Sequence, residues 1–392
     1  MTIFQFHVAT DKEIKEGKVT DVYFQRTKEI LEKKNIHKHV VAEIRASSLP
    51  EGYNWAILAG IEEAAHLLEG VKATVLTMPE GTMFHAEEPV LTIEGDYVEF
   101  AIYETPLLGL LCQASGIATK AARCKKAAAE RPVISFGARR MHPAIAPMIE
   151  RNAFIGGCDS VAVVKSAELL NIEPSGTMPH ALILVMGNPI EAFKSFHEIA
   201  PSHIKRVCLV DTLEDEKFEA VRAAETLAEN LFAVRLDTPS SRRGNMKTIL
   251  EEVRWELDLR GFNHVKLMLS GGVDEYEILK LNPVVDAYGV GTSISNAPVI
   301  NLAMDIVEVE GKPLAKRGKK AGKKDVSRCD KCMNTKVVPF TSPAKSAENC
   351  TCGGTFKSII FPLTQEGKLV RDLPTHQQIR EYVLSQLSQI NL

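Results

Sequence analysis

The chain has 392 residues, of which 45% are apolar and 25% charged, and its formal net charge is −3. That length gives room for two or three domains with a substantial core, in the composition of an ordinary soluble globular protein. The charge balance excludes a global field favouring nucleic acid or an anionic membrane, and no apolar run approaches a bilayer span. The N-terminus, MTIFQFHVATDKEIKEGK, has acids and a histidine where a signal peptide has a basic patch and an apolar core, so a cytoplasmic location is expected.

The first stretch, 1–113, reads as an α/β domain. Thr20 and Asp21 precede a helical pattern from Val22 to Lys34. His39 to Ala46 alternates like a strand, Asn54 to Glu69 returns to helical periodicity, and Lys72 to Met78 and Glu88 to Glu94 read as strands around Pro79-Glu80-Gly81. An alanine-rich and leucine-rich helix follows from Glu104 to Glu130 and stops at Pro132.

From 114 to 297 the pattern changes to short apolar runs, each followed by a polar or glycine-containing end and then by helix. They are Val133 to Phe136, Ser160 to Val164, Ala181 to Val185, Lys205 to Val210, Leu231 to Leu236, Val265 to Leu269 and Val284 to Tyr288. Their spacing, roughly 20 to 35 residues, is that of one βα unit. Such a series predicts an irregular or incomplete β/α barrel. The last two runs enter glycine loops, Ser270-Gly271-Gly272 and Gly289-Val290-Gly291-Thr292, around a crossover helix from Glu275 to Leu281. Two consecutive strand-end loops rich in N–H groups predict a phosphate site, although tight turns alone also use glycine.

Function in a barrel gathers at the C-terminal strand ends. The residues assigned there are Phe136, Arg139 and Arg140; Asp159; Thr177 and His180; Asp211; Arg235 and Asp237; and the two glycine loops. Arginine clamps phosphate or carboxylate and aspartate holds magnesium, so the set suits a phosphorylated substrate with Mg2+. Each has a plainer alternative: the arginines as surface residues, Asp211 and Asp237 as helix caps, His180 as a core histidine.

The segments TDVYFQ (Thr20 to Gln25), SFGARR (Ser135 to Arg140), GGCDSVA (Gly156 to Ala162), SGTMPHA (Ser175 to Ala181), VRLDTP (Val234 to Pro239), SGGVDE (Ser270 to Glu275) and GVGTSI (Gly289 to Ile294) together resemble the nicotinate phosphoribosyltransferases. That group also includes the nicotinamide and quinolinate enzymes. The resemblance implies transfer of a phosphoribosyl group from phosphoribosyl diphosphate to the nitrogen of nicotinate, as in NAD biosynthesis, with nicotinamide or quinolinate as alternative acceptors. It further implies that ATP phosphorylates His180 and that Phe136 and Tyr23 sandwich the pyridine ring. The tyrosine would come from the neighbouring subunit of a homodimer or higher homo-oligomer with shared active sites. Arg235 and Asp237 would serve the ribosyl diphosphate, and Ser270, Gly271, Gly272, Gly289, Gly291 and Thr292 its 5'-phosphate. Arg139 is the candidate for the pyridine carboxylate, because a guanidinium meets a carboxylate with two parallel hydrogen bonds. Loss of diphosphate leaves positive charge on the ribose carbon, so magnesium and cations on the leaving group matter more than a protein nucleophile.

In the C-terminal segment, 298–392, Ala303 to Glu310 reads as a strand, and Lys316 to Lys324 (KRGKKAGKK) as a solvated basic loop. Of the eight cysteines, Cys329, Cys332, Cys350 and Cys352 cluster at metal-ligand spacing. Four thiolates fill a tetrahedral Zn2+, so a structural zinc module over 325–360 is expected. The basic run beside it raises a reading of a different class, a zinc-module nucleic-acid-binding protein. The net charge and the scarcity of aromatic residues near the run stand against it. Thr375 to Ile390 predicts an amphipathic terminal helix that packs on the N-terminal domain or a partner subunit.

Overall fold

The computed structural model describes residues 6–340 and 348–392. Residues 1–5 of the expected N-terminal domain and 341–347 of the expected zinc module lie outside the described residues. The chain forms two compact units, one of residues 1–119 with 298–391 and one of residues 120–297.

In the first unit a seven-stranded sheet runs in the order Lys312–Pro313, Leu302–Val309, His39–Ala46, Pro89–Asp96, Ala73–Thr77, Phe361–Gln365, Lys368–Leu369. Every neighbouring pair is antiparallel. The central strand explains the packing. Val40, Ala42, Ile44 and Ala46 share one face and enter the hydrophobic core, while Glu43 and Arg45 are buried on the other. The segment after residue 297 joins this sheet on both sides, through Leu302–Val309 and Phe361–Gln365. The terminal helix His376–Leu387 opens with a capping box, in which Thr375 bonds the Gln378 backbone and Gln378 returns the bond. Its Gln386 accepts from the Met83 N–H at 2.9 Å and donates to the Gly81 carbonyl at 2.8 Å, so the helix packs on the N-terminal part of its own chain. The Asn54 to Glu69 stretch is not one helix. Ala56–Ile57 pairs as a strand with Met83–Phe84, and the helix is confined to Ile61–Leu68 behind Gly60, whose φ of +90° breaks the pattern.

The basic run differs from its expectation. Lys316 and Lys319 reach Asp305 at 2.7 and 2.8 Å, Lys324 reaches Glu43 at 2.8 Å, and Lys323 pairs with Glu94. Asp305 and Glu43 are buried in the sheet, and Lys324 is itself buried. A buried carboxylate needs a cation and hydrogen bonds, and this run supplies both. Four of its lysines therefore pair with carboxylates of the first sheet, three of them largely out of solvent, while Lys316 reaches Asp305 from an exposed position.

The second unit holds a six-stranded parallel sheet in the order Ser160–Val161, Val133–Ser135, Ala287–Val290, Lys266–Ser270, Leu231–Leu236, Arg206–Leu209. Strands such as Arg206–Leu209 are buried along their whole length, as strands covered on both faces require. The fold is an open, curled half-barrel. The expected strand from Ala181 to Val185 is missing because His180–Met186 is a helix, with Pro179 at its N-cap and Gly187 in the left-handed region (φ +73°) closing it. An apolar run of that length fits either element, and here the flanking residues decide it.

Candidate active site and metal centre

The C-terminal strand ends of the second unit surround a cleft of about 590 Å3. Of the residues assigned to substrate or catalysis, it brings together Phe136, Arg139, Arg140, Thr177, His180, Arg235, Asp237, Ser270, Gly271, Gly272, Gly289, Gly291 and Thr292.

Local backbone geometry explains how these side chains meet. The Phe136 N–H donates to the Val290 carbonyl at 2.8 Å, extending the pairing of Val133–Ser135 with Ala287–Val290 by one step. A Cβ on Gly289 would lie 2.4 Å from two ring atoms of Phe136, and one on Gly137 would lie 2.5 Å from the Gly291 carbonyl. Both glycines thus serve close approach. Gly289 seats the aromatic ring, and Gly137 lets the turn Ala138–Arg140 carry Arg139 and Arg140 to the cleft. Gly271 and Gly272 are different. Their φ values of +82° and +63° are the left-handed conformation that favours glycine, and a Cβ on Gly271 would meet Asp237 Oδ1 at 2.8 Å.

The ionic groups form a chain. His180 Nε2 lies 2.9 Å from Asp211 Oδ1, and the other oxygen of Asp211 accepts from the Asp237 N–H at 2.6 Å. Asp211 lies behind the cleft with its side chain only 2% exposed, and burial pushes its carboxyl above the usual range, against the pull of the Asp237 N–H and of His180. Its two oxygens orient His180 and hold the backbone of Asp237. Asp237 therefore faces the cleft as the available carboxylate, with Ser270 Oγ donating to its Oδ1 at 3.0 Å. A carboxylate oxygen facing the cleft beside the Gly271-Gly272 turn is a donor on which Mg2+ binds, with substrate phosphates completing the shell, so the residues fit that ion. Arg235 stands 6.0 Å from the Phe136 ring centroid and donates to the Met178 carbonyl at 3.4 Å. Burial lowers its pKa, while Asp237 and Asp211 act in the opposite direction.

Two assigned residues lie elsewhere. Asp159 precedes its strand instead of following it, which puts it at the N-terminal end of the sheet. There its carboxylate accepts from the Val133 N–H at 2.8 Å and from Lys125 at 3.0 Å. Tyr23 belongs to the first unit, on the helix Val22–Lys33, where it is exposed beside Phe24 with ring centroids 4.3 Å apart.

Other residues of the site carry little sequence signal. Glu150 lines the cleft, fully buried, and accepts from the N–H groups of Ala162 and Val163 at 3.2 and 2.9 Å. Glu219, also buried, accepts from the N–H groups of Thr212, Leu213 and Glu214 and shapes the loop after Asp211. A buried acid inside an amphipathic helix is their only trace in the sequence.

In the first unit, the Sγ atoms of Cys329, Cys332, Cys350 and Cys352 lie within 4.8 Å of one another. The pairs Cys329–Cys352 and Cys332–Cys350 are 3.4 and 3.6 Å apart. Tetrahedral zinc with bonds near 2.3 Å sets sulfur–sulfur distances of about 3.8 Å, so the four thiols fit it. A three-stranded sheet of Lys324–Cys329, Thr335–Pro339 and Phe356–Ser358 presents them, and a Cβ on Gly354 would lie 2.6 Å from Cys329 Sγ. Among the described residues no helix is long and apolar enough to cross a membrane.

Comparison with known proteins agrees with this geometry. The sequence matches the family models "Quinolinate phosphoribosyl transferase, N-terminal domain" over residues 21–115 and "Quinolinate phosphoribosyl transferase, C-terminal domain" over residues 117–305. It is 29% identical over 330 residues to the nicotinate phosphoribosyltransferase of Bacillus subtilis, covering 74% of this chain and 66% of that one. It is 31% identical over 282 residues to nicotinate phosphoribosyltransferase pncB1 of Mycobacterium tuberculosis, covering 68% and 61%. The match thus spans less than two thirds of either relative. A crystal structure of nicotinate-nucleotide pyrophosphorylase from Pyrococcus furiosus superposes over 100% of both chains with a TM-score of 0.97 and 54% identity. With the half-barrel, the strand-end cleft and these matches together, the chain belongs to the type-II phosphoribosyltransferases related to the nicotinate and quinolinate enzymes.

Proposed function

We propose that the protein transfers the phosphoribosyl group of phosphoribosyl diphosphate to the ring nitrogen of a pyridine carboxylate, forming nicotinate mononucleotide and diphosphate for NAD biosynthesis. The observation that carries this reading is the cleft itself, where an aromatic ring, two exposed arginines, a carboxylate and a left-handed glycine pair converge within about 590 Å3. Phe136 offers a flat face to the pyridine, with Tyr23 of a second subunit as the opposite face in a homodimer. Arg139 and Arg140 meet the pyridine carboxylate, and Gly271 and Gly272 meet the 5'-phosphate. As the bond from the ribose carbon to the diphosphate oxygen breaks, its electron pair leaves with diphosphate, and the pyridine nitrogen lone pair forms the new C–N bond. Mg2+ held at Asp237 would neutralise charge on the departing diphosphate. Arg235 adds a fixed cation in a partly desolvated site.

Two acceptors fit, and different observations favour each. Both family models are those of quinolinate phosphoribosyl transferase, and Arg139, Arg140 and Arg235 together offer enough cations for a second carboxylate. Nicotinate is favoured by His180, which stands at the cleft with its side chain 36% exposed and its ring oriented by buried Asp211. That arrangement suits a histidine that accepts the γ-phosphoryl group of ATP: a P–N bond forms, the bond to ADP breaks, and later hydrolysis to phosphate drives product formation.

The deciding assay follows formation of the corresponding mononucleotide from nicotinate, nicotinamide or quinolinate, each with and without ATP, together with CO2 release from quinolinate. ATP-stimulated turnover of nicotinate that loses only its stimulation in His180→Ala supports the phosphohistidine. Equal stimulation in both proteins removes it, and CO2-releasing turnover of quinolinate alone assigns the other acceptor.

A further inference from the structure

Arg243 lies in the loop that follows Asp237, ahead of the helix Met246–Leu259. Its guanidinium donates to the Thr238 carbonyl through Nε at 3.2 Å and Nη2 at 2.9 Å, and to the Gly271 carbonyl through Nη2 at 2.6 Å. One side chain thus joins the loop that presents the cleft carboxylate to the loop that presents the left-handed glycines. Glycine makes that contact available. A Cβ on Gly271 would stand 3.1 Å from Nη2, and Nη1 is the nearest atom to a Cβ on Gly272, at 3.4 Å. Among the described residues Nη1 donates to no group, whereas the other nitrogens are committed to carbonyls.

A staple that only held two loops together would need the hydrogen bonds but not the charge. Among the described residues no acidic side chain bonds this guanidinium, and its Nη1 and Nη2 rest against the two glycines that line the cleft, with Asp237 Oδ1 close by at Gly271. We propose that Arg243 is the cation of the phosphate loop: it binds a phosphate oxygen of the substrate through Nη1 while its remaining N–H groups keep the Asp237 loop and the Gly271 loop in register. The ligand class is a phosphomonoester or diphosphate, and naming it as the phosphate of phosphoribosyl diphosphate rests on the function proposed above. Because Arg243 joins the two loops, phosphate bound on one side also steadies the carboxylate on the other.

The test compares the full-length wild type with Arg243→Ala and Arg243→Lys, measuring binding of inorganic phosphate and of phosphoribosyl diphosphate with Mg2+ by calorimetry, then KM for each substrate. A charge-assisted hydrogen bond predicts a roughly ten- to hundredfold loss of affinity for both phosphates in Arg243→Ala. The lysine variant should recover part of it, added guanidinium ion should recover part of the alanine variant's loss, and KM for the pyridine should change less than about twofold. Phosphate affinities within about twofold of wild type in both variants overturn the proposal. So does an equal loss for both substrates that guanidinium does not rescue, which is the signature of a collapsed loop. If Arg243→Ala fails to fold, Arg243→Lys and the same titrations decide. Calorimetry needs no turnover, so Arg243-dependent phosphate binding in a protein that uses no pyridine would reject the function and keep the arginine's role.

Discussion

Replacing Gly289 with alanine separates two meanings of a glycine at a strand end. The new Cβ would stand 2.4 Å from both Cδ2 and Cε2 of Phe136 and 3.2 Å from the Ser270 Cβ. Carbon atoms rest at about 3.5–4.0 Å, so the ring must retreat by about 1 Å. Its backbone cannot follow freely, because the Phe136 N–H is held at 2.8 Å by the Val290 carbonyl. The ring must turn off its rotamer, and overpacking of this kind costs about 1–3 kcal/mol. In a unit of this size each kcal/mol lowers Tm by about 2–4 °C, which gives a drop of roughly 2–12 °C. Displacing the stacking face forfeits about 0.5–1.5 kcal/mol of aromatic contact, or a roughly two- to twelvefold rise in KM for the pyridine. Initial rates with each substrate varied in turn, alongside thermal melts, measure both. A variant whose KM rises for phosphoribosyl diphosphate and not for the pyridine would refute the reasoning and return Gly289 to the phosphate cradle.

Further perturbations have definite expected outcomes. Gly271→Ala forces a left-handed φ on a branched centre and drives a Cβ to 2.8 Å from Asp237 Oδ1, so KM for phosphoribosyl diphosphate should rise several-fold. Gly291→Ala would meet its nearest neighbour only at 3.7 Å, but its φ of −97° and ψ of −113° lie outside the regions a Cβ allows, so KM should rise less than in Gly271→Ala in the same assay. Burial, and after it Asp305, pushes the Glu104 carboxyl up to about 7. Its folded pKa exceeds its unfolded one, so the folded state holds the extra proton between about pH 4.5 and 7, and stability falls as pH rises through that window. Glu104→Gln should therefore raise Tm relative to wild type at pH 8 and lose that advantage at pH 4, as read by calorimetry across pH. Finally, the isolated protein should carry one zinc per chain. Chelation should open the region between Lys324 and Ser358 to protease, and Cys332→Ser should reproduce this; turnover lost without such loosening would contradict a structural metal.

The residues that were legible from sequence are those whose local chemistry and function coincide. Lys266–Ser270, Glu275–Leu281 and Ala287–Val290 follow from continuous apolar runs, a helical interval and terminal glycines, which is why the two strand-end glycine loops are readable. The Ala181 to Val185 run has the apolar pattern of a buried strand, yet Leu184 and Val185 are 58% and 87% exposed. Pro179 before it and Gly187 after it were the better guide. Asp159 failed for a reason of polarity: an acid just before a strand faces the opposite end of the sheet from one just after it. Glu150, Glu219 and Arg243 act on backbone groups brought near by tertiary folding, and no spacing rule reports such partners. The lysines between 316 and 324 look solvated for the same reason, since the carboxylates they neutralise are as much as 281 positions away.

The pairing of His39–Ala46 with Leu302–Val309 has a consequence for the order in which the chain is made. The central strand of the first sheet leaves the ribosome with Pro89–Asp96 soon available on one edge, but its other edge waits for residues beyond 300. At ordinary synthesis rates that wait is tens of seconds, during which an apolar strand edge is open to other chains. Residues 120–297 are contiguous and can complete their own sheet in the interval. The first unit closes last, when Leu302–Val309 arrives and Lys324 reaches Glu43, so truncations after residue 297 should aggregate during synthesis even with every residue of the cleft present.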